Sequence, residues 1–282
     1  MKIKVDQIEF NILIDEKNYK EEKTPIIFLH GFTGCAEDWL FIFDKLPSEY
    51  YPIAIDLIGH GLTDSPDDPN YYTCRAIVNQ LNYIFESLKI HKLILCGYSM
   101  GGRAALSYCL HYPQKIIASI FESTTAGIED ITIKKERVIS DFLLAEKIRE
   151  EGIESFIDYW MNNPLFKTQK EIPEYELIKK KKYKNSVIGL SNLLMGFSTG
   201  LMPSYWDKIN QLEFPVLLIT GSLDEKYTSI SKRMKEKLKN AEHKIAESCG
   251  HNVHLEKPDV FIKFVLDFLN NKKRKQYELQ LD

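Results

Sequence analysis

The sequence lacks the features that mark membrane proteins, secreted proteins and nucleic-acid-binding proteins. No run is long and uncharged enough to cross a bilayer, and the opening residues, MKIKVDQIEFNILIDEKN, contain no apolar signal core. The 282 residues carry a formal net charge of only -3, so no global charge favours DNA, RNA or an anionic membrane surface. We therefore expect a cytoplasmic protein that binds neither nucleic acid nor membrane, and we predict no obligate protein partner.

Cysteine is scarce and poorly spaced for either bridging or metal binding. The five cysteines are an odd number, lie far apart and include no C-x-x-C pair. This pattern argues against a disulfide framework and against a zinc site, so we expect free and mostly buried thiols and no metal.

Short apolar runs are what the sequence does contain, with helix-length segments between them. Runs that are apolar at every position are typical of strands covered on both faces, which indicates a parallel α/β sheet. Residues 2–14 instead alternate polar and apolar positions, as a hairpin or edge pair would. The five apolar runs are PIIFLH at 25–30, YPIAID at 51–56, KLILCG at 92–97, KIIASIFE at 115–122 and FPVLLITG at 214–221.

A long segment after the fourth of these runs has no strand pattern. Residues 123–206 consist of charged stretches with helical spacing, such as IKKERVISDFLLAEKIREEG. We interpret this segment as a helical cap inserted into an α/β core formed by residues 1–122 and 207–282.

The pentapeptide GYSMG carries the first chemical signal. It matches G-x-S-x-G, follows a predicted strand and precedes a predicted helix, which is the setting of a nucleophile elbow at Ser99. Taken alone, the pentapeptide leaves open a glycine-rich helix start in which Ser99 is only a cap.

A serine hydroxyl needs a neighbouring base, and the sequence supplies candidates in the expected order. Asp224 follows the strand of LLITGSLDEKY, and His251 lies in AESCGHNVHLEKP before the last helix. The chain order Ser99, Asp224, His251 is that of α/β-hydrolases. Read separately, Asp224 would be a turn residue and His251 a solvated loop histidine.

The segment FLHGFTG at 28–34 predicts an oxyanion hole. A strand that ends in His-Gly supplies one backbone N–H, and the residue after the nucleophile supplies the other; here these are Phe32 and Met100. We expect His30 to orient the loop, and Asp56 and His60 to be architectural parts of the DLIGHGLTD turn.

Two arginines are candidates for binding an anion. Arg103 lies one helical turn after Ser99 and could present a bidentate fork over it, although a structural salt bridge is the alternative. Arg137, in KKERVISD, is the second candidate, although an isolated basic residue of this kind is normally a solvated helix position. The lysine-rich run KKKKYK at 179–184 is expected to be a solvated face of a cap helix.

These motifs occur in a combination that resembles one enzyme family. HGFTG, GYSMGGR, FESTTAG with ERVISD, DYWMNNPLF, TGLMPSYW and CGHNVHLEKPDVF together resemble the 2-succinyl-6-hydroxy-2,4-cyclohexadiene-1-carboxylate synthases of menaquinone biosynthesis, from about Phe28 to Phe261. These enzymes are α/β-hydrolase-fold lyases that eliminate pyruvate from a small polycarboxylate.

The resemblance assigns roles to particular residues and implies no cofactor. Ser99, His251 and Asp224 would relay a proton, and the substrate-binding positions carry over to Arg103, Arg137, Tyr98 and Trp160. The sequence departs from the family at Val138, where relatives often carry a second arginine, at Ala126, where proline is usual, and at Met202, where a polar residue is usual.

Two other functions remain open at this point. One is a serine hydrolase of the same fold, an esterase, thioesterase or carbon-carbon hydrolase, in which the arginines would matter little. The other is a non-catalytic protein that binds a small ligand, against which the complete set of serine, histidine and aspartate argues.

Overall fold

The computed structural model describes residues 1–15 and 22–278, and its described strands form one eight-stranded sheet. The order across the sheet is β1-β2-β4-β3-β5-β6-β7-β8. The strands are β1 (Lys2–Val5), β2 (Ile8–Ile14), β3 (Thr24–Leu29), β4 (Tyr50–Ile55), β5 (Leu93–Tyr98), β6 (Ile116–Glu122), β7 (Val216–Gly221) and β8 (Ala241–Ala246).

The sheet combines an antiparallel edge with a parallel body, which confirms the predicted fold class. β1 and β2 form the expected antiparallel pair, and β2 continues antiparallel onto β4. All neighbours from β4 to β8 are parallel. Sequence analysis missed β8, because this edge strand, AEHKIA, is mostly half-buried and so lacks the apolar run that marks its neighbours.

Helices cover both faces of the sheet. Two separate clusters of buried apolar side chains lie against it, one containing Phe10 and Phe121 and the other Phe28 and Phe261. The helices are α1 (Leu40–Phe43), α2 (Cys74–Ser87), α3 (Met100–His111), α4 (Ile131–Met161), α5 (Tyr175–Lys182), α6 (Val187–Phe197), α7 (Glu225–Lys237), α8 (Val253–Glu256) and α9 (Pro258–Glu278). Among the described residues, no helix has the length and apolarity needed to cross a membrane.

Helices α4, α5 and α6, here called the cap helices, occupy the chain between β6 and β7. Helix α4 breaks at Gly152, whose φ of 78° departs from helical geometry. The cap helices have their own apolar cluster, which includes Ile148, Phe156 and Leu190. Helix α6 approaches the core so closely that a Cβ on Gly59 would lie 2.7 Å from Cα of Gly189.

Candidate active site

Ser99 sits at a sharp turn between β5 and α3. Its backbone has φ 49° and ψ −105°, a region that non-glycine residues rarely adopt. The turn depends on the glycines around it, because a Cβ at Gly97 would overlap the carbonyl of Gly101. The backbone N–H of Ser99 donates to the carbonyl of Glu122 at 2.8 Å, which ties the elbow to β6. The strained serine therefore projects at the carboxyl end of the central strands, where α/β sheets bind ligands.

The structure brings Ser99, His251 and Asp224 into one hydrogen-bonded chain. His251 Nε2 lies 3.1 Å from Ser99 Oγ, and His251 Nδ1 lies 2.6 Å from Asp224 Oδ2. Both the histidine and the aspartate are buried. Asp224 caps α7 and accepts the backbone N–H of Tyr227 at 3.2 Å, so its carboxylate is held in place. This geometry lets the imidazole accept a proton from the serine while the carboxylate orients it.

Aromatic rings surround the His251 imidazole. The ring centroids of Tyr227 and Tyr98 lie 4.5 Å and 5.4 Å from that of His251. Burial raises the pKa of Tyr98 well above its usual value, and burial also raises the pKa of Tyr227. Both phenols are therefore neutral at pH 7, and the histidine is enclosed by apolar ring surface.

A second buried histidine, His254, packs against Tyr98. His254 Nδ1 lies 2.8 Å from Oε2 of Glu122, and its backbone N–H donates to the other carboxylate oxygen at 3.0 Å. The His254 ring contacts Tyr98 edge to face, with centroids 4.9 Å apart. His254 is thus part of the support for the site.

Phe32 and Met100, whose amides are predicted to form an oxyanion hole, line the same cavity as Ser99. Met100 is the first residue of α3, so its N–H has no acceptor inside the helix. Phe32 lies on the loop after β3. A Cβ on Gly31 would lie 2.5 Å from Cε1 of Tyr98, so only glycine allows this loop to come so close to the elbow.

His30 holds the same loop in place, as the sequence predicts. Its Nδ1 lies 2.8 Å from the carbonyl oxygen of Gly31, and its Nε2 accepts the N–H of Leu57 at 3.0 Å. One nitrogen donates and the other accepts, which is the pattern of a neutral imidazole. Burial lowers the pKa of His30 and keeps it neutral.

Asp56 and His60 complete this support. Asp56 accepts hydrogen bonds from the N–H groups of Ala36 and Leu62 at 2.6 Å and 2.9 Å. His60 Nε2 accepts the N–H of Thr33 at 3.3 Å. Both residues therefore hold backbone in place, in agreement with their predicted architectural role.

A cavity of about 870 Å³ lies over Ser99 and is lined by residues of α4 and α6. Its charged lining comprises Arg103, Glu136, Arg137, Asp141, Lys147 and Lys226. Tyr98, Trp160, Tyr227 and Phe166 contribute aromatic surface. Within residues 1–15 and 22–278, no three His, Cys, Asp or Glu side chains are grouped to hold a metal ion.

Arg103 reaches the cavity, but no salt bridge anchors it. One guanidinium N–H donates to the carbonyl of Phe197 at 2.7 Å, and the guanidinium lies 4.8 Å from the centre of the Phe197 ring. Among the described residues, no carboxylate forms an ion pair with it, which argues against the salt-bridge alternative. Burial lowers the pKa of Arg103 to about 10, so the side chain remains positively charged at neutral pH.

Arg137 and Trp160 both face the cavity from the cap helices. Arg137 Nε donates to Asp141 Oδ2 at 2.6 Å, one turn along α4. The Trp160 indole packs edge to face on Phe32, with ring centroids 5.4 Å apart. Its N–H is buried without a hydrogen-bond partner among the described residues. A buried donor without a partner favours a ligand that carries an acceptor.

The departures from the family pattern have identifiable surroundings. Val138 packs against Gly200, where a Cβ would lie 2.8 Å from Cγ2 of Val138. Met202 places its sulfur 4.0 Å from Nη1 of Arg103, which makes it a neighbour of that arginine. Ala126 is buried, and its carbonyl accepts the N–H of Tyr205 at 2.7 Å.

Sequence analysis missed some of the residues at the site. Lys226 and Tyr227 line the cavity from the first turn of α7, immediately after Asp224, and that adjacency is the signal that could have found them. The lysine run at 179–184 was expected to be solvated, and for Lys182 this is wrong, because only 8% of its surface is exposed. Lys182, at the end of α5, faces the interior, whereas the nearby Lys180 and Lys184 are exposed.

Comparisons with known proteins agree with this architecture. The family model for the alpha/beta hydrolase fold matches residues 24–258. A Bacillus subtilis (strain 168) protein, named as a candidate 2-succinyl-6-hydroxy-2,4-cyclohexadiene-1-carboxylate synthase, is 40% identical over 94% of this chain and 96% of its own length. The synthase of that name from Enterobacter sp. (strain 638) is 28% identical over 83% of this chain and 86% of its own.

Solved structures give the same result. The structure of MenH from S. aureus superposes with a TM-score of 0.87 at 31% identity, and the match covers 94% of this chain and 98% of that one. An enol-lactonase from Burkholderia xenovorans LB400, at 20% identity and a TM-score of 0.80, shares the fold alone; 96% of this chain and all of that one are covered. The chain belongs to the α/β-hydrolase fold family and, within it, to the family of the 2-succinyl-6-hydroxy-2,4-cyclohexadiene-1-carboxylate synthases.

Proposed function

We propose that this protein is a carbon-oxygen lyase of menaquinone biosynthesis. It eliminates pyruvate from 2-succinyl-5-enolpyruvyl-6-hydroxy-3-cyclohexene-1-carboxylate and forms 2-succinyl-6-hydroxy-2,4-cyclohexadiene-1-carboxylate. The names of the relatives supply the product, and the chemistry of the cavity supports it.

The observation that carries the proposal is that the catalytic candidates and the two arginines line one cavity. Ser99 and His251 line it together with Arg103 and Arg137. A simple ester needs no fixed cations near the nucleophile, whereas a substrate with several carboxylates does. The protein as a whole is slightly acidic, so attraction for such a substrate has to be local.

In this mechanism the triad moves a proton and forms no acyl-enzyme. Ser99 Oγ takes the ring proton next to the succinyl carbonyl while His251 Nε2 accepts the serine proton. The electron pair of the broken C–H bond moves into the ring and onto the carbonyl oxygen. Asp224 stabilises the imidazolium that forms.

The next step breaks the carbon-oxygen bond to the enolpyruvyl group. The electron pair returns from the carbonyl oxygen to form the ring diene, and enolpyruvate leaves and becomes pyruvate on protonation at carbon. Between these steps the negative charge on the carbonyl oxygen is met by the N–H groups of Phe32 and Met100.

The remaining residues bind and orient the substrate. Arg103 and Arg137 pair with its carboxylates, and the free indole N–H of Trp160 donates to an oxygen of the bound molecule. Tyr98 lines the cavity beside His251. No cofactor is needed, because the leaving group carries away the electron pair that the broken carbon-hydrogen bond supplies.

Pyruvate release tests the proposal. The substrate is generated in situ by the preceding pathway enzyme, and release is compared for the unmodified protein, Ser99→Ala, the exposed-site control Ser155→Ala and no added protein. We expect acceleration over spontaneous decay that survives in Ser155→Ala and is lost in Ser99→Ala. No acceleration by the unmodified protein would overturn the lyase assignment, and a panel of esters would then test for a serine hydrolase.

A further inference from the structure

Thr33 follows Phe32 in the loop that carries the proposed oxyanion donor. Its φ of 67° is unusual for a β-branched residue. A backbone in this region persists only where the surroundings hold it. The Phe32 N–H belongs to the Gly31–Phe32 peptide, which is joined through Cα of Phe32 to the peptide between Phe32 and Thr33. A fixed Thr33 therefore restrains the position of Phe32 and of its N–H.

Three side chains hold Thr33, and each contacts a different polar group of it. Its N–H donates to His60 Nε2 at 3.3 Å, its carbonyl accepts from Asn185 Nδ2 at 2.9 Å, and its hydroxyl accepts from Lys182 Nζ at 3.1 Å. His60 belongs to the α/β core, whereas Lys182 is the last residue of α5 and Asn185 lies in the short connection between α5 and α6. Two of the three contacts therefore come from the segment between β6 and β7, at the end of α5 and just after it.

Lys182 makes this contact at a cost to the fold. Its side chain is buried, and among the described residues no carboxylate forms an ion pair with it. Burial lowers the pKa of its ammonium group, and the opposing effect of the Asp38 carboxylate does not cancel this. An apolar side chain at this position would avoid that penalty.

The position of Asn185 is also unfavourable for the stability of the fold. Only 8% of its surface is exposed, and its amide Nδ2 donates to both Thr33 and the Lys182 carbonyl. Its Oδ1 is buried without a hydrogen-bond partner among the described residues. An unsatisfied buried oxygen is unfavourable, so the side chain is placed by what its nitrogen holds.

We propose that Lys182 and Asn185 are positioning residues that hold Thr33, and through it the Phe32 N–H, in the catalytic geometry when α5 is docked on the core. The inference rests on the proposed function in one respect, the role of Phe32 as an oxyanion donor. It assigns a function to the lysine run that composition alone places on a solvated face.

This arrangement links the cap helices to the rate of reaction and leaves substrate affinity to other residues. Charge on the carbonyl oxygen develops only in the transition state, so a misplaced Phe32 amide lowers kcat and has little effect on KM. Removal of an oxyanion donor costs about 100- to 1,000-fold in kcat, and a loosened donor costs a part of that.

The test uses two variants that keep side-chain volume, Lys182→Met and Asn185→Leu, and their combination. Lys180→Met is the matched control, because it removes a lysine from the exposed side of the same helix. Two reactions are followed for each protein. The first is pyruvate elimination, for which kcat and KM are measured. The second is the labelling of Ser99 by an alkyl fluorophosphonate, for which the rate of fluoride displacement is measured. The second reaction places negative charge on a phosphoryl oxygen in the same hole and needs no carboxylate-bearing substrate. Tm is recorded for every variant.

We expect the double variant to lose roughly 10- to 100-fold in both kcat and labelling rate, with KM within twofold of the unmodified protein. Tm should be unchanged or higher for Lys182→Met, so the loss is separated from misfolding. Labelling and turnover that stay within twofold of the unmodified protein would overturn the inference. If the unmodified protein labels with fluorophosphonate but releases no pyruvate, the proposed function fails, and the labelling rates of the variants still decide the positioning role.

Discussion

Arg137 donates its Nε hydrogen to Asp141 at 2.6 Å across one turn of α4. The carboxylate is almost fully buried, while 36% of the arginine side chain is exposed. A guanidinium held at Nε keeps the four hydrogens of its two terminal nitrogens for other partners. The ion pair therefore orients the arginine and leaves its outer edge for a ligand in the cavity.

Arg137→Ala is expected to impair turnover while the fold is kept. Loss of a charge-assisted hydrogen bond to a carboxylate costs about 1.5–3 kcal/mol, which is roughly 10- to 150-fold in kcat/KM. Lys135→Ala, which removes an exposed cation from the same helix, is the control and should leave kcat/KM within twofold. Steady-state pyruvate release measures both, and equal kinetics for the two variants would contradict the role of Arg137.

Lys226→Ala is expected to weaken binding of the substrate more than its conversion. Lys226 lies at the exposed rim of the cavity, and none of the described carboxylates pairs with it. An exposed cation near the mouth contributes through screened attraction, so we expect KM to rise about three- to tenfold at low salt and the difference to shrink as salt is added. Lys235→Ala, at the far end of α7, is the matched control.

Gly101→Ala and Gly152→Ala should destabilise the protein to different extents. A methyl group at Gly101 would lie 2.5 Å from the carbonyl oxygen of His30 and overlap that of Leu29. At Gly152 nothing lies within 4 Å, and only the φ of 78° opposes a side chain. Urea unfolding should show a loss of about 1–2 kcal/mol for Gly152→Ala and more than about 3 kcal/mol for Gly101→Ala. A smaller loss at Gly101 would mean that the elbow can shift away from β3.

Acid should destabilise the fold through His60. Burial lowers the pKa of His60 well below 6.5, so the folded chain keeps it neutral while the unfolded chain takes up a proton. Because the unfolded state then binds more protons, the free energy of unfolding falls as pH drops below 6.5, by at most about 1.4 kcal/mol per pH unit for this group. His60→Gln should make the pH dependence shallower, whereas the exposed His91→Gln should not. Parallel pH profiles for His60→Gln and the unmodified protein would exclude this contribution.

The parts of the fold that could be predicted are those where local pattern and tertiary setting agree. β4, β5 and β7 are buried along their whole length, so their apolar runs were unambiguous. β8 is an edge strand with three consecutive polar residues, Glu242, His243 and Lys244, and its pairing with β7 depends on contacts that its own sequence does not encode.

The residues of the site also fall into those that sequence could predict and those that it could not. Ser99, Asp224 and His251 lie at strand ends in a fixed chain order, which makes their assembly predictable from motif and spacing. The burial of Lys182 was not predicted, because the composition of a run gives only its average polarity. The burial of each residue depends instead on which side of the helix faces the core. The contact of Lys182 with Thr33 spans 149 residues of chain and has no local signal.

The cap helices have an apolar cluster of their own, separate from the two clusters on the sheet. Helix α6 also contributes Leu193 and Phe197 to one of the sheet clusters, whereas the buried apolar residues of α4 belong to the cap cluster alone. We therefore expect α4 to open at a lower free energy than the sheet. Amide hydrogen exchange in α4 should then occur through sub-global opening, whereas β3, β5 and β6 should exchange only when the whole chain unfolds. A substrate that touches both α4 and the core would slow exchange in α4 far more than in the sheet, and would make α4 and the sheet open together.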